Sequence, residues 1–222
     1  MTDIVISFII AGRDTTSAAL TWFFWLIHKN NRVEEEIMRD IDRNRGKQSK
    51  KTENLSVFDE VKDMVYLHAA LCESMRLYPP VPTDTKEATE DDILPDGTRV
   101  EKGNRVTYHP FAMGRMESIW GSDWAEYRPE RWLELEDGEE GKWKFVPRDP
   151  YSYPVFQAGP RICLGKEMAF LQMKRVVIGV LERFQVVPVL QDSTEPVFRP
   201  HLTAKMVGGL PVKIEERKQE II

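Results

Sequence analysis

The stretch "FQAGPRICLGKEMA", residues 156–169, places Cys163 in a loop with two glycines and a proline, directly before an apolar helical segment. The chain has only two cysteines, so this position calls for an explanation. Gly159 and Gly165 permit close backbone approach, and the proline stiffens the loop. The unpaired N–H groups and positive dipole end of the following helix favour a thiolate, and Arg161 adds positive charge. The alternative is a core thiol, since cysteine is among the most buried residue types.

Several kinds of thiolate chemistry are open at this point. A phosphatase-type thiolate needs an arginine soon after the cysteine, and the next one is Arg175, well down the helix. A cysteine hydrolase needs a positioned histidine, and the sequence marks neither His109 nor His201 as one. Zinc needs several ligands, and the chain has no CxxC or HxxxH spacing. A single thiolate suits a cofactor that supplies its remaining ligands, as haem iron does.

Composition predicts a chain that buries a core and does not bind nucleic acid. The 222 residues are 41% hydrophobic and 30% charged, with a net charge of −5. Two cysteines fit a reducing compartment. Residues 4–27 are apolar enough to suggest a membrane helix, but Arg13 and Asp14 lie near their middle. Each charge costs about 2.5–3.5 kcal/mol at the bilayer centre, which favours a core helix over a membrane-associated segment.

Hydrophobic spacing and turn residues predict a mainly α fold with small β hairpins. Helices are expected over residues 3–30, 33–43, 58–77 and 164–184. Glycine turns predict hairpins over residues 93–108, around Asp96-Gly97, and over residues 202–216, around Gly208-Gly209. Residues 109–155 are expected to be irregular, and residues 44–57 and 134–142 to be polar surface loops.

The stretch "FQAGPRICLG" resembles the haem-binding signature of the cytochromes P-450. The matching residues are Phe156, Gly159, Arg161, Cys163 and Gly165. The resemblance implies a partial cytochrome P-450 fold in which residues 1–222 form the C-terminal, haem-binding part of the domain, with the N-terminal half absent. It also implies haem b as cofactor, Cys163 as axial ligand of the iron and Arg161 as partner of a haem propionate.

Further motifs follow in the order of that family. "CESMR", residues 72–76, places Glu73 and Arg76 on one helix face, and Arg131 lies in "YRPERW", residues 127–132. The resemblance implies that Glu73, Arg76 and Arg131 form a structural triad on the proximal side of the haem. We expect this triad to serve folding and not catalysis.

"AGRDTTS", residues 11–17, resembles the oxygen-binding segment of the family. The resemblance implies that Ala11 and Gly12 make room beside the iron, and that Asp14 and Thr15 are the catalytic acid–alcohol pair that relays protons. Glycine and threonine also weaken a helix at this point, where a local distortion is expected.

The wider sequence resembles the plant fatty-acid ω-hydroxylase group. This implies a haem-thiolate monooxygenase that hydroxylates fatty acids or compounds derived from them. The substrate-facing residues implied are Val81, Pro82, Val207, Gly208 and Leu210. The alternative is a non-catalytic fragment that cannot complete a haem pocket.

The same resemblance implies the partners and location of a full-length member. Electrons would come from an NADPH-dependent flavin reductase that docks near Cys163, where Lys166, Lys174 and Arg175 offer positive charge. A full-length member would lie at the cytosolic face of the endoplasmic reticulum membrane, and its N-terminal anchor has no counterpart here.

Overall fold

The computed structural model describes residues 2–48, 57–136, 142–189 and 195–217. The α-helices are α1 Thr2–Lys29, α2 Asn31–Gln48, α3 Val57–Val61, α4 Val65–Leu77, α5 Pro110–Met113, α6 Glu117–Trp120 and α7 Lys166–Leu181. The strands are β1 Asp84–Glu87, β2 Asp92–Ile93, β3 Arg99–Val100, β4 Arg105–Tyr108, β5 Leu133–Leu135, β6 Trp143–Phe145, β7 Phe184–Pro188, β8 Phe198–Arg199, β9 Lys205–Met206 and β10 Val212–Glu216. Short 3₁₀ turns lie at Pro129–Trp132, Pro154–Phe156 and Gly159–Arg161.

The core lies where α1, α2, α4 and α7 meet. Each helix contributes large side chains that are almost completely buried: Trp22, Phe23, Ile27, Ile37, Ile41, Leu67, Leu71, Met173, Val177 and Leu181. Full burial of one such side chain is worth about 1.5–3 kcal/mol. These side chains therefore fix α1 and α7, the two helices that flank the Cys163 loop. The prediction of a mainly helical fold with small β units is confirmed.

The first helix is half buried and half exposed. Its C-terminal part packs into the core, whereas residues 2–13 are exposed, with Ile4 at 61%, Phe8 at 55% and Ile9 at 62% exposure. By length and hydropathy α1 could cross a membrane. The burial of its C-terminal part against this chain's own core supports the expectation of a core helix for that part.

The prediction of one helix over residues 58–77 is wrong, because α3 ends at Val61 and α4 begins at Val65. The physical reason is a cap supplied by another helix. The Asp40 carboxylate of α2 accepts the backbone N–H groups of Tyr66, at 3.0 Å, and Leu67, at 3.2 Å. A carboxylate at a helix N-terminus satisfies free amide groups and favours a new start there.

The first predicted hairpin forms around its glycine turn but with shorter strands, whereas the second is wrong in its strand partners. Gly97 adopts a φ of +88°, and β2 pairs with β3 around it. The outer strand β4 pairs instead with β1, with Asp84 opposite Tyr108. Gly208 and Gly209 also adopt positive φ, but β9 pairs with β8 and β10 pairs with β7. This glycine turn therefore directs the chain from one two-stranded sheet to the next.

Two predicted loops are partly regular. Helix α2 continues to Gln48, so residues 44–48 of the predicted loop are helical, and residues 49–56 lie outside the described part of the chain. The segment 109–155 contains α5, α6 and the antiparallel pair β5–β6. Strand β5 takes in the first two residues of the acidic tract 134–142, whose residues 137–141 lie outside the described part.

Glu73 is a fully buried carboxylate on α4 that holds several segments together. Arg76 donates to it through Nε and Nη2, both at 2.8 Å, and Arg131 donates through Nε at 3.1 Å. The indole of Trp132, at 2.9 Å, and the backbone N–H of Arg128, at 3.1 Å, also donate to it. A buried ion is tolerable when its acceptor sites are paired in this way. The contacts are those expected of a folding element.

We predict that Glu73→Ala lowers the free energy of unfolding by about 3–5 kcal/mol, because two buried guanidinium groups lose their carboxylate. Urea denaturation followed by circular dichroism measures this loss. The matched control is Glu87→Ala, which removes an exposed carboxylate 3.5 Å from Arg105 and should cost less than about 1 kcal/mol. Equal effects of the two substitutions would contradict the structural role of Glu73.

Candidate functional site

The Cys163 loop is closed by its own backbone. The 3₁₀ turn Pro154–Phe156 leads into Gln157, at φ +68°, and Gly159, at φ +69°. The backbone N–H of Cys163 then donates to the carbonyl oxygen of Phe156 at 2.8 Å. Helix α7 starts three residues later, so Cys163 lies directly before the first turn of that helix. The exposed thiol argues against Cys163 as a core residue.

The Cys163 thiol faces a cavity of about 370 Å³ between α1 and α7. Its walls are the inner faces of the two helices and the Cys163 loop: Ser7, Phe8, Ala11, Gly12, Thr15, Thr16, Phe156, Cys163, Leu164, Gly165, Met168, Ala169 and Gln172. A Cβ atom added at Gly12 would meet nothing within 4 Å, so this part of α1 borders open space. The structure therefore brings together six sequence-predicted residues: Ala11, Gly12, Thr15, Phe156, Cys163 and Gly165.

The two threonines of the cavity differ in their hydrogen bonds. Thr15 Oγ1 donates to the carbonyl oxygen of Ala11 at 2.7 Å, within an α1 that runs unbroken from Thr2 to Lys29. Thr16 Oγ1 is buried and has no hydrogen-bond partner among the described residues. Leaving a buried hydroxyl without a hydrogen-bond partner costs free energy in a folded protein. The Thr16 hydroxyl is therefore available to hydrogen-bond a group bound in the cavity.

Asp14 lines a different cleft from the Cys163 cavity that Thr15 lines. It borders a cleft of about 190 Å³ whose other wall includes Lys205 and Met206. Arg13 Nε donates to its Oδ1 at 2.8 Å, and this hydrogen bond, helped by the charge of Lys205, lowers the pKa of Asp14. The acid is therefore ionised at neutral pH, and the structure does not place it in the Cys163 cavity.

The remaining predicted site residues lie outside the cavity lining. Gly159 and Arg161 are on the Cys163 loop but are not among the residues that line the cavity. Of the predicted substrate-facing residues, Pro82 is buried, Val81 and Leu210 are half-buried, and Val207 and Gly208 are exposed.

The prediction that Lys174 offers surface charge is wrong. Lys174 is 5% exposed, and its Nζ donates to the carbonyl oxygen of Val61 at 3.1 Å. Burial lowers the pKa of Lys174 to about 8. The lysine instead joins α7 to the end of α3. Arg175 is exposed and lies 2.9 Å from Glu60, and Lys166 is half-buried at the start of α7.

The sequence analysis did not identify the remaining residues of the cavity, although the lining residues are spaced as on one face of a helix. Phe8, Ala11, Gly12, Thr15 and Thr16 follow one another at intervals of three, one, three and one residues, which is one face of a helix. The α7 wall repeats this spacing at Gly165, Met168, Ala169 and Gln172. Neither set could be assigned to the cavity before the two helices were known to face each other.

An exposed cysteine directly before a helix, lining a largely apolar cavity beside the small residues of α1, fits a haem-thiolate protein. Sequence comparison agrees with this class. The chain belongs to the cytochrome P450 family, whose sequence model matches residues 1–214. The predicted resemblance to this family is confirmed.

The similar proteins are plant cytochromes P450. The chain is 64% identical to cytochrome P450 94A2 of Vicia sativa over 217 residues, which are 98% of this chain and 40% of that protein. It is 66% identical to cytochrome P450 94A1 of the same plant, over 97% of this chain and 40% of that protein. Identity to cytochrome P450 94B1 of Arabidopsis thaliana is 54%, over 98% of this chain and 41% of that protein. The chain thus spans about two fifths of the length of these relatives.

We predict that iodoacetamide at pH 8 modifies Cys163 and spares Cys72 in the folded chain. Cys163 is exposed, whereas burial raises the pKa of the Cys72 thiol far above its ordinary value. Because the thiolate is the reactive form, the two rates should differ at least on the order of tenfold. Peptide mass spectrometry measures both sites, and modification in urea is the control in which both react alike. Equal labelling of the folded chain would contradict the described position of Cys163.

Proposed function

We propose that this chain forms the cysteine-bearing, haem-binding part of a monooxygenase that hydroxylates fatty acids or compounds derived from them. The reaction is RH + O₂ + 2 e⁻ + 2 H⁺ → ROH + H₂O. The observation that carries the proposal is the Cys163 thiol facing a cavity of about 370 Å³ between α1 and α7. Membership of the cytochrome P450 family supports it.

The residues around the cavity fit haem b. Cys163 would supply the sulfur ligand of the iron, Phe156 and Gly165 would lie on the cysteine side, and Ala11 and Gly12 on the opposite side. Arg161, which is exposed on the same loop, would pair a propionate. The open space beside Gly12 and the unpaired hydroxyl of Thr16 both suit a bound group. Thiolate-ligated haem, when bound, supplies the reductive activation of dioxygen.

Asp14 and Thr15 would have separate roles in proton delivery. Asp14 lies in the cleft beside Lys205 and would take up protons from solvent there. The O–H of Thr15 donates a hydrogen bond to the Ala11 carbonyl oxygen. The lone pairs of Thr15 Oγ1 therefore remain free to accept a hydrogen bond from water in the cavity. Thr15 would thereby hold a proton-bearing water on the α1 side of the cavity, opposite Cys163.

We predict that Thr15→Ala reduces the coupling of electron consumption to product in the haem-loaded protein. Product per NADPH should fall and hydrogen peroxide release should rise, because the water that delivers protons is no longer held. The control is Thr107→Ala, which removes a hydroxyl contact with Thr85, 2.9 Å away, outside both the Cys163 cavity and the Asp14 cleft. Unchanged coupling in Thr15→Ala would remove Thr15 from proton delivery.

The apolar lining supports a fatty-acid-derived substrate. Phe8, Leu164 and Met168 present hydrocarbon to the cavity, and apolar walls with few polar groups suit a hydrocarbon chain. Hydroxylation near the chain end would follow from the similarity to the plant ω-hydroxylase group. Val81, Pro82, Val207, Gly208 and Leu210 are proposed to contact substrate farther from Cys163.

An NADPH-dependent flavin reductase is the proposed electron donor. Lys166, half-buried at the start of α7, and Arg175, which is exposed but paired with Glu60, would offer positive charge to it, whereas the buried Lys174 would not. The proposed location of the full-length protein is the cytosolic face of the endoplasmic reticulum membrane. Neither proposal needs a nucleic-acid partner.

The alternative is that these 222 residues do not catalyse the reaction by themselves. The exposed apolar side chains of α1, among them Ile4, Phe8 and Ile10, favour this alternative, because they are stable in water only when covered and Phe8 lines the cavity. An open cavity would admit water and uncouple oxygen reduction from product formation.

The proposed function is tested by expressing the chain alone and extended with the N-terminal part of cytochrome P450 94A2. We expect the extended protein, supplied with haemin, reductase and a medium-chain fatty acid, to give hydroxylated product and a ferrous–CO spectrum of the red-shifted, thiolate type. Cys163→His should abolish this spectrum and Cys72→Ala should not. A thiolate-type spectrum that survives Cys163→His would overturn the proposal, and coupled hydroxylation by the chain alone would overturn the alternative.

A further inference from the structure

Three side chains connect the β1–β4 hairpin to the Cys163 loop. The hydroxyl of Tyr108 on β4 lies 2.9 Å from Asp84 Oδ2 on β1 and also contacts the amide oxygen of Gln157. Gln157 Nε2 donates to the same Oδ2 of Asp84. Asp84 and Tyr108 are directly opposite each other in the strand register, so the hairpin itself brings the carboxylate and the phenol together. Gln157 is the member of the group that belongs to the loop.

The backbone of Gln157 is in a conformation that side chains disfavour. Its φ is +68°, and no other non-glycine residue in the described parts of the chain has a positive φ. Glycine adopts this conformation without steric cost, whereas a residue with a Cβ needs its surroundings to hold it there. The hydrogen bonds to Asp84 and Tyr108 supply such surroundings.

The peptide group between Phe156 and Gln157 links this anchor to the cysteine. Its N–H, on Gln157, donates to the Pro154 carbonyl at 3.1 Å. Its C=O, on Phe156, accepts the N–H of Cys163 at 2.8 Å. A rotation of Gln157 would therefore turn away the acceptor that fixes the backbone of Cys163.

The charges of the group remain constant near neutral pH. Burial alone would raise the pKa of Asp84, but the hydrogen bonds from Tyr108, Lys86 and the Thr85 amide hold the pKa below its ordinary value. Burial and the neighbouring Asp84 raise the pKa of Tyr108 to about 12. Asp84 is thus an ionised acceptor and Tyr108 a neutral donor, which keeps the hydrogen-bond pattern intact.

We propose that Asp84, Tyr108 and Gln157 are positioning residues that hold the Cys163 loop in the geometry needed for its thiolate to bind a metal centre. The inference rests on the proposed function for the identity of that centre. Its structural part, control of the Cys163 backbone from the β1–β4 hairpin, can be tested without haem.

The test compares Asp84→Ala and Tyr108→Phe with two controls on the same hairpin. Glu87→Ala removes an exposed carboxylate of β1. Thr107→Val removes the hydroxyl contact between Thr85 and Thr107, 2.9 Å apart and one register position from Asp84 and Tyr108. In the haem-free full chain, hydrogen exchange at the Cys163 amide should become roughly fivefold faster in the first two variants, and remain unchanged in the controls.

The second readout uses the haem-loaded protein. The fraction of haem-loaded protein whose ferrous–CO complex gives the thiolate-type spectrum should fall at least twofold in Asp84→Ala and Tyr108→Phe. This fraction should be unchanged in both controls. Wild-type exchange and spectra in the first two variants would overturn the inference, as would an equal change in Thr107→Val or faster exchange spread evenly over all peptides. If the unsubstituted protein gives no thiolate-type spectrum, the proposed function fails, and the exchange comparison still decides the positioning role.

Discussion

The described fold depends on one buried carboxylate. Glu73 accepts hydrogen bonds from the side chains of Arg76, Arg131 and Trp132 and from the backbone of Arg128, while its own side chain has no exposed surface. An unpaired charge at this depth would be very costly, so the segment that carries Arg131 must stay against α4. Arg76 also donates to the carbonyl oxygens of Trp124, at 2.8 Å, and Glu126, at 3.0 Å, which fixes a segment without regular structure.

This constraint extends directly to the cysteine loop. The residue before Glu73, Cys72, offers its carbonyl oxygen to the hydroxyl of Tyr153 at 2.9 Å. Tyr153 also packs edge-on against Trp132, with 4.6 Å between ring centroids, and immediately precedes the 3₁₀ turn Pro154–Phe156. The loop that presents Cys163 is therefore anchored on one side by α4 and its buried ion pairs. Its other anchor is Gln157, which is held by the β1–β4 hairpin.

The sequence predicted the local features of the fold and site more accurately than the distant pairings. The Glu73–Arg76 spacing and the glycines around Cys163 act within a few residues, and the structure realises both. The start of α4 could not be predicted in this way, because it depends on Asp40 of another helix. The burial of Lys174 could not be predicted for the same reason, since the carbonyl that accepts its hydrogen bond belongs to α3. The strand partners of β4 and β10 are likewise distant in sequence.

The two sides of the Cys163 cavity are built differently, and this difference bears on function. The cysteine side rests on buried hydrogen bonds and packed aromatic rings, which resist displacement. The opposite side is a single helix, α1, whose wall of small residues at Ala11 and Gly12 continues into exposed apolar side chains at Phe8 and Ile4. The Cys163 loop is thus held by the rest of the chain from two sides. Under the proposed function, substrate choice would depend on the α1 side of the cavity and on the proposed substrate-facing residues.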